Sequence, residues 1–519
     1  MYFLVIMAFA FVLSDNLPPP GFNLIAGRTG WESMTLSIAI GQIAVVALAA
    51  LYVRKQSLRR LDGSPQGFDR ATQAFSTGQF VLLVLIAALL TGTMTLTPWA
   101  SLVRREWGLD RLPLVGDLTL LVPFFASLAV IWAIQFPVEA RLRGVFFPSE
   151  REPAPPIDEA RKTDAATALS AASNGRPPPD ASVFTFLWDK FRHQVLIVAA
   201  PMALIVAAKH FTDLWRRDLM NATTLPWAAD AVLGIISFLV LLISPVILCY
   251  IWATEPLPPG PLRERFERIC KRIGLRYRDV LLWHTHGMTV NAAVMGFIPP
   301  LRYILVSDAL LETMDDEEIE AVFGHEAGHV HHWHLPFFGL FALASMYVTG
   351  GVLELLVRGR VITDSGLLQL IGLVVLLGLW LFGFGWLSRR FERQADLFGV
   401  RSVTPDIQNC LSWCPIHGER QASGVCVSAA NLFGRTLSKI AGLNGIPKAA
   451  PSWRHGSIES RCRLIERFAQ DAAAVNRFDR QLWLLKMGLL GAGIVGTIAA
   501  GMVYYGEIAR AWRRVFLMG

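Results

Sequence analysis

Uncharged apolar stretches long enough to cross a bilayer recur along this chain, and they restrict its fold more than any other feature. A spanning helix needs about 20 such residues, and clean runs stand at residues 34–53, 80–96, 118–136, 231–253 and 367–387. Residues 335–357 qualify with Glu354 inside, residues 487–505 have Lys486 at their edge, and residues 195–208 form a shorter run. Residues 1–13 are apolar but lack a basic leader and a small-residue cleavage site, so they read as a first span or an interfacial segment. The expected fold class is mainly α, a polytopic membrane protein of eight or nine spans. Composition agrees: 17% of residues are charged, against about 25% in an average soluble domain. That deficit excludes a disordered or nucleic-acid-coating protein, so the lipid bilayer rather than nucleic acid is the expected partner.

Placement of Lys and Arg orients the spans. The loop after residue 53 carries Arg54, Lys55, Arg59, Arg60 and Arg70, and the stretch after residue 136 carries Arg141, Arg143, Arg151, Arg161, Lys162 and more. The loops between are poorer in bases, which assigns the rich ones to the cytoplasm. Counting onward, residues 254–334 and 388–481 form two polar lobes on that same face, separated by a transmembrane hairpin at 335–387. They are preceded by a multi-span region at 1–253, whose residues 149–182 read as a Pro/Ala-rich linker, and followed by a last span and tail at 482–519. The expected location is the plasma membrane of a bacterium.

The chemistry is concentrated in the lobes. Residues 315–334 read DDEEIEAVFGHEAGHVHHWH, in which Asp315 and Asp316 can cap a helix and the acids behind them suit its positive end. On that helix His325 and His329 are four residues apart and share a face, with Glu326 beside them. This H-E-x-x-H spacing supplies two zinc ligands and a general base to take a proton from the attacking water. Gly328 costs about 1 kcal/mol relative to Ala in a helix, and a close approach of a helix or of substrate would account for it. A catalytic zinc takes three protein ligands. In the second lobe, SRRFERQADLFG places Glu392 and Asp396 on one helical face, a third ligand and an acid to hold a ligand histidine. The same segment also reads as a juxtamembrane turn in which Arg389, Arg390 and Arg393 meet headgroups. His332 shares the motif's face but lies a turn further along, which favours Glu392 as the third ligand; His331 reads as a surface residue.

HEAGHVHHWH, two spans and then SRRFERQAD resemble the integral-membrane zinc metallopeptidases that include the CAAX prenyl proteases and HtpX. The resemblance covers residues 261–481 and implies a cytoplasmic α+β zincin-like catalytic domain split in two by the hairpin. It implies His325, His329 and Glu392 as zinc ligands, Glu326 as base and Asp396 behind the ligands. His334 matches a histidine of the prenyl proteases. Asn291, Ala292 and Ala293 are similar to the family's substrate-binding edge strand, although a simple turn fits them too. His455 and Arg461 match a His and an Arg six residues on, which in the family steady the oxyanion; Gly456 stands where proline is usual.

Cys410, Cys414, His417 and Cys426 have spacings that suit a second, structural zinc, with isolated packing thiols as the alternative. The favoured function is a zinc endopeptidase acting on polypeptides that are membrane-associated or misfolded. Processing of prenylated or other defined C-termini stays open, as does, from another class, a non-catalytic membrane scaffold or transporter.

Overall fold

The computed structural model describes residues 28–62, 64–109, 113–144, 183–223, 228–252, 254–285, 289–362, 365–403, 414, 417 and 425–503. The expected first segment at 1–13, the linker at 149–182, Cys410 and the tail beyond 503 lie outside these residues. The chain divides into two compact units. One comprises Met1–Arg216, Ala229–Leu241 and Gly445–Pro447; the other comprises Arg217–Ala228, Leu242–Asn444 and Lys448–Gly519.

In the first unit, helices α1 (Trp31–Arg60), α2 (Pro65–Leu96) and α3 (Val122–Gly144) pack on one another. Apolar side chains close the seam, among them Val46, Ala50, Ile86, Leu90 and Phe124. A polar pair inside it is satisfied: Thr93 Oγ1 donates to Gln42 Oε1 at 2.8 Å, and Gln42 Nε2 donates to the Pro123 carbonyl at 3.4 Å. Helix α4 (Ala228–Ile251) leads towards the second unit.

The second unit opens with a four-stranded sheet in the order β1-β2-β4-β3. Strand β1 (Thr254–Pro256) is followed by helix α5 (Pro261–Ile273) and β2 (Asp279–Trp283). Strand β3 (Ala292–Met295) runs antiparallel to β4 (Tyr303–Ser307), with Ala292 opposite Val306 and Met295 opposite Tyr303. Central β4 is wholly buried, as its YILVS sequence requires, whereas β3 is an edge strand with one side unpaired. Then come helices α6 (Asp316–His331), α7 (His334–Arg358), α8 (Gly385–Ser402), α9 (Val427–Leu443), α10 (Ile458–Gln470) and α11 (Ala472–Val503). Their shared core gathers Leu387, Phe391, Val400, Phe433, Ile465, Phe468 and Phe478.

Among the described residues, seven helices are long and apolar enough to cross a membrane, and a bent pair, Val183–Leu196 with Ala199–Leu214, raises the number to eight. They expose apolar side chains, with Phe238 64%, Leu355 73% and Phe382 79% accessible, as helix faces turned to lipid do. Two bounds differ from the sequence expectation. The stretch expected to end at residue 387 continues without a break, through a π-helical turn at Leu379–Phe384, into α8. The last helix starts at Ala472, well before the apolar run, because Phe478 and Leu482 anchor its first turns in the core.

Candidate metal centre

Helix α6 starts at Asp315, whose carboxylate accepts from the Glu318 N–H at 2.9 Å while Glu318 Oε2 accepts from the Asp315 N–H at 3.0 Å. This reciprocal cap fixes where the helix begins and so which face carries His325 and His329. Helix α8 crosses that face at close range. A Cβ added at Gly328 would lie 3.0 Å from Ala395 Cα and Phe398 Cβ, so the glycine permits the contact that its cost in the helix implied.

The crossing brings Glu392 to the two histidines. His325 Nε2 and His329 Nε2 are 3.3 Å apart, and the Glu392 oxygens lie 3.5 Å from the first and 3.7 Å from the second. One ligand atom from each residue falls within 4.8 Å of the other two. Glu392 Oε2 is buried and makes no hydrogen bond among the described residues, a costly state for a carboxylate oxygen that a cation relieves. Two imidazoles and a carboxylate with one orphaned oxygen fit a zinc ion.

The far nitrogens of both histidines are occupied. His325 Nδ1 lies 2.9 Å from Asp396 Oδ1, at an angle short of a well-formed hydrogen bond. Asp396 is gripped in turn by Arg461, whose Nε and Nη2 donate to its two oxygens at 2.8 and 2.5 Å. His329 Nδ1 lies 2.9 Å from His334 Nδ1, and His334 Nε2 lies 3.0 Å from Gln394 Oε1, which also accepts from Lys486 Nζ at 3.0 Å. Because Gln394 Oε1 can only accept, His334 carries its proton on Nε2 and accepts at Nδ1 from His329. That leaves the His329 Nε2 lone pair turned to the centre. Burial works against a charge on His325, but the Asp396 and Glu392 carboxylates outweigh it and raise its pKa to about 10. Burial lowers His329 to about 4 and raises the Glu326 carboxyl.

Glu326 and His455 line an open cavity of about 840 Å³ beside this centre, with Val294, Phe297, Ile298, Trp333 and Phe338 among its walls. His455 Nδ1 is 2.9 Å from Glu392 Oε1 and the side chain is 47% exposed. It sits on a turn in which the Gly456 N–H donates to the Ser452 carbonyl at 2.9 Å. Gly456 has φ 76°, a conformation closed to proline, which explains the departure from the family pattern. Arg461 is buried, pairs with Asp396, has its Nη1 3.9 Å from Glu392 Oε2, and is not among the cavity's lining residues. Ala292 and Ala293 belong to the edge strand rather than a simple turn. Asn291 precedes the strand, its carbonyl accepting from the Ser307 N–H, and the strand reaches the cavity through Val294.

His331 is exposed, and His332 stands outside the ligand cluster, with burial lowering its pKa to about 3. Gln394 and Lys486 were not anticipated. Gln394 falls between Glu392 and Asp396 in the ExxxD segment, and Lys486 read as a span's edge. Cys414, His417 and Cys426 also come together, whereas Cys410 lies outside the described residues.

Residues 256–409 match the model for peptidase family M48. Through this segment the chain is similar to that family. A CAAX prenyl protease 1 homolog of Arabidopsis thaliana is 30% identical over 188 residues, covering 33% of this chain and 44% of that protein. A protease HtpX of Xanthomonas oryzae pv. oryzae is 30% identical over 163 residues, covering 28% of this chain and 54% of its own. The chain thus spans about half the length of these curated relatives. The crystal structure of S. mikatae Ste24p superposes with a TM-score of 0.43 at 14% identity, over 84% of this chain and 99% of that one. The M48 segment includes His325, Glu326, His329, Glu392 and Asp396, but ends before His455, Arg461 and Lys486.

Proposed function

We propose that the chain is a membrane-embedded zinc endopeptidase that hydrolyses peptide bonds of membrane-associated or misfolded polypeptides. The observation that carries this reading is the convergence of His325, His329 and Glu392 with Glu326 beside them on an open cavity wall. A zinc ion bound there supplies Lewis acidity towards the scissile carbonyl and the attacking water. Glu326 makes no hydrogen bond or ion pair with the described residues, which leaves it able to take the water's proton and pass it to the leaving amine. His455, on the cavity wall, is placed to donate to the carbonyl oxygen as charge develops there. Arg461 acts through Asp396 by holding His325 in orientation. An extended substrate pairs with the unpaired side of β3, its side chains alternating into the cavity.

The apolar walls from Val294, Phe297, Ile298, Trp333 and Phe338 favour a second reading within the same chemistry, a processing protease for prenylated C-termini. Protein purified in detergent should contain zinc and cleave an unfolded polypeptide. Glu326→Ala should keep the metal and lose cleavage by about 10²-fold or more. Equal cleavage by that variant overturns the proposal. A farnesylated peptide assayed beside its unprenylated control separates the two readings.

A further inference from the structure

We infer that Cys414, His417 and Cys426 hold a second metal ion, a structural zinc independent of the H-E-x-x-H centre. One ligand atom from each of the three lies within 4.8 Å of the others. Around a tetrahedral zinc with Zn–S of about 2.3 Å, ligand atoms stand roughly 3.5–3.8 Å apart, so small side-chain adjustments bring these three atoms to three of its four positions. Two thiols and an imidazole form a donor set that selects zinc over magnesium or calcium.

Two further observations separate a metal site from thiols that merely pack. His417 Nδ1 is buried with no hydrogen-bond partner among the described residues, an expensive state that packing does not explain and that a ligand role for the ring does. Cys414 and Cys426 are 1% and 0% exposed. They lie in the core formed with Phe391, Val425 and Phe433, where a cation is held firmly once its ligands are thiolates.

The position tells what the ion does. The three ligands sit on the connection between α8, which carries Glu392 and Asp396, and α9, whose N-cap is Cys426. Helix α9 also packs on α6 and ties to it through Lys439 and Glu318, at 2.5 Å. An ion there clips the connection to the core that backs the catalytic helices. All three ligands lie beyond the M48-matched residues.

The test uses the full-length His325→Ala/His329→Ala protein in detergent, which lacks the first centre and so reads the second alone. It should retain about one zinc per chain. Replacing zinc with cobalt should give the near-ultraviolet thiolate-to-cobalt charge-transfer absorption, and His417→Ala added to that background should weaken retention. Cys414→Ser/Cys426→Ser in the otherwise native chain should leave about one zinc, at the first centre. If the His325→Ala/His329→Ala protein elutes and gives circular dichroism as wild type does, yet binds no zinc and shows no sulfur-to-cobalt band, the inference is overturned. That outcome leaves the proteolytic reading untouched, because it concerns different residues and a different measurement.

Discussion

The ring of His329 is steered from behind by a relay in which Lys486 and His334 share the Gln394 carbonyl oxygen and His334 accepts from His329. Loss of such a supporting group typically lowers metal affinity about 10–100-fold. His334→Ala and Gln394→Leu should therefore each weaken zinc binding by that factor while leaving the fold intact, as measured by competition with a chelator. Unchanged affinity in both would detach the relay from the centre. The Arg461–Asp396 pair makes a different demand. It is buried and two-pronged, and removing one partner of such a pair costs about 3–5 kcal/mol. Arg461→Ala should lose that much in denaturant unfolding in detergent, and Arg461→Lys should not restore it, since an ammonium cannot grip both oxygens. Adding Asp396→Ala should recover part of the loss. That His325 and His329 share one face was legible from helical spacing, because i and i+4 on a capped helix leave little freedom. Arg461's partner and the Lys486–Gln394 bond were not, since they join residues far apart in sequence through packing that no local pattern encodes.

At the scale of elements, the centre depends on how closely α6 and α8 cross, and glycine sets that distance. A methyl at Gly328 enters space occupied by Ala395 and Phe398, and a methyl at Gly324 meets Ser402. Overpacking of this kind costs about 1–3 kcal/mol, and here the strain would separate Glu392 from the histidines. Gly328→Ala should thus destabilise the protein and lower zinc affinity together. Gly350→Ala, inside α7 with nothing near its added Cβ, should be neutral or stabilising by about 0.5–1 kcal/mol. Denaturant midpoints and metal content measured on both variants check the contrast. The need for a close neighbour at Gly328 was readable from helix propensity alone. Which neighbour it is, and that α8 continues from the preceding span instead of starting after it, depended on tertiary contacts with Phe433 and Trp453 around Gly399 and Gly385.

At the scale of the whole molecule, the question is where the metal-bearing unit meets the membrane. Trp333 precedes α7, Trp386 opens α8 and Trp483 lies in the early turns of α11, all partly exposed. These three helices are tied at that level by the Lys486 bond to the His332 carbonyl and the Arg390 bond to Gln481, and Arg390 also stacks on Trp386. Exposed tryptophans beside basic residues mark a headgroup layer, which predicts a metal centre at the membrane surface. If α7 and the helix ending at Ser402 both span, as their length and apolarity allow, the turn after Arg358 is expected on the opposite face. The basic-residue balance predicts that the metal side faces the cytoplasm. A protease recognition sequence inserted between Gly359 and Arg360 should then be cut in intact spheroplasts by enzyme added outside. One inserted after Gln470 should be cut only after the membrane is permeabilised. The reverse pattern would invert the orientation while keeping the hairpin, and cutting of both from outside would mean that α7 and its returning partner do not span at all.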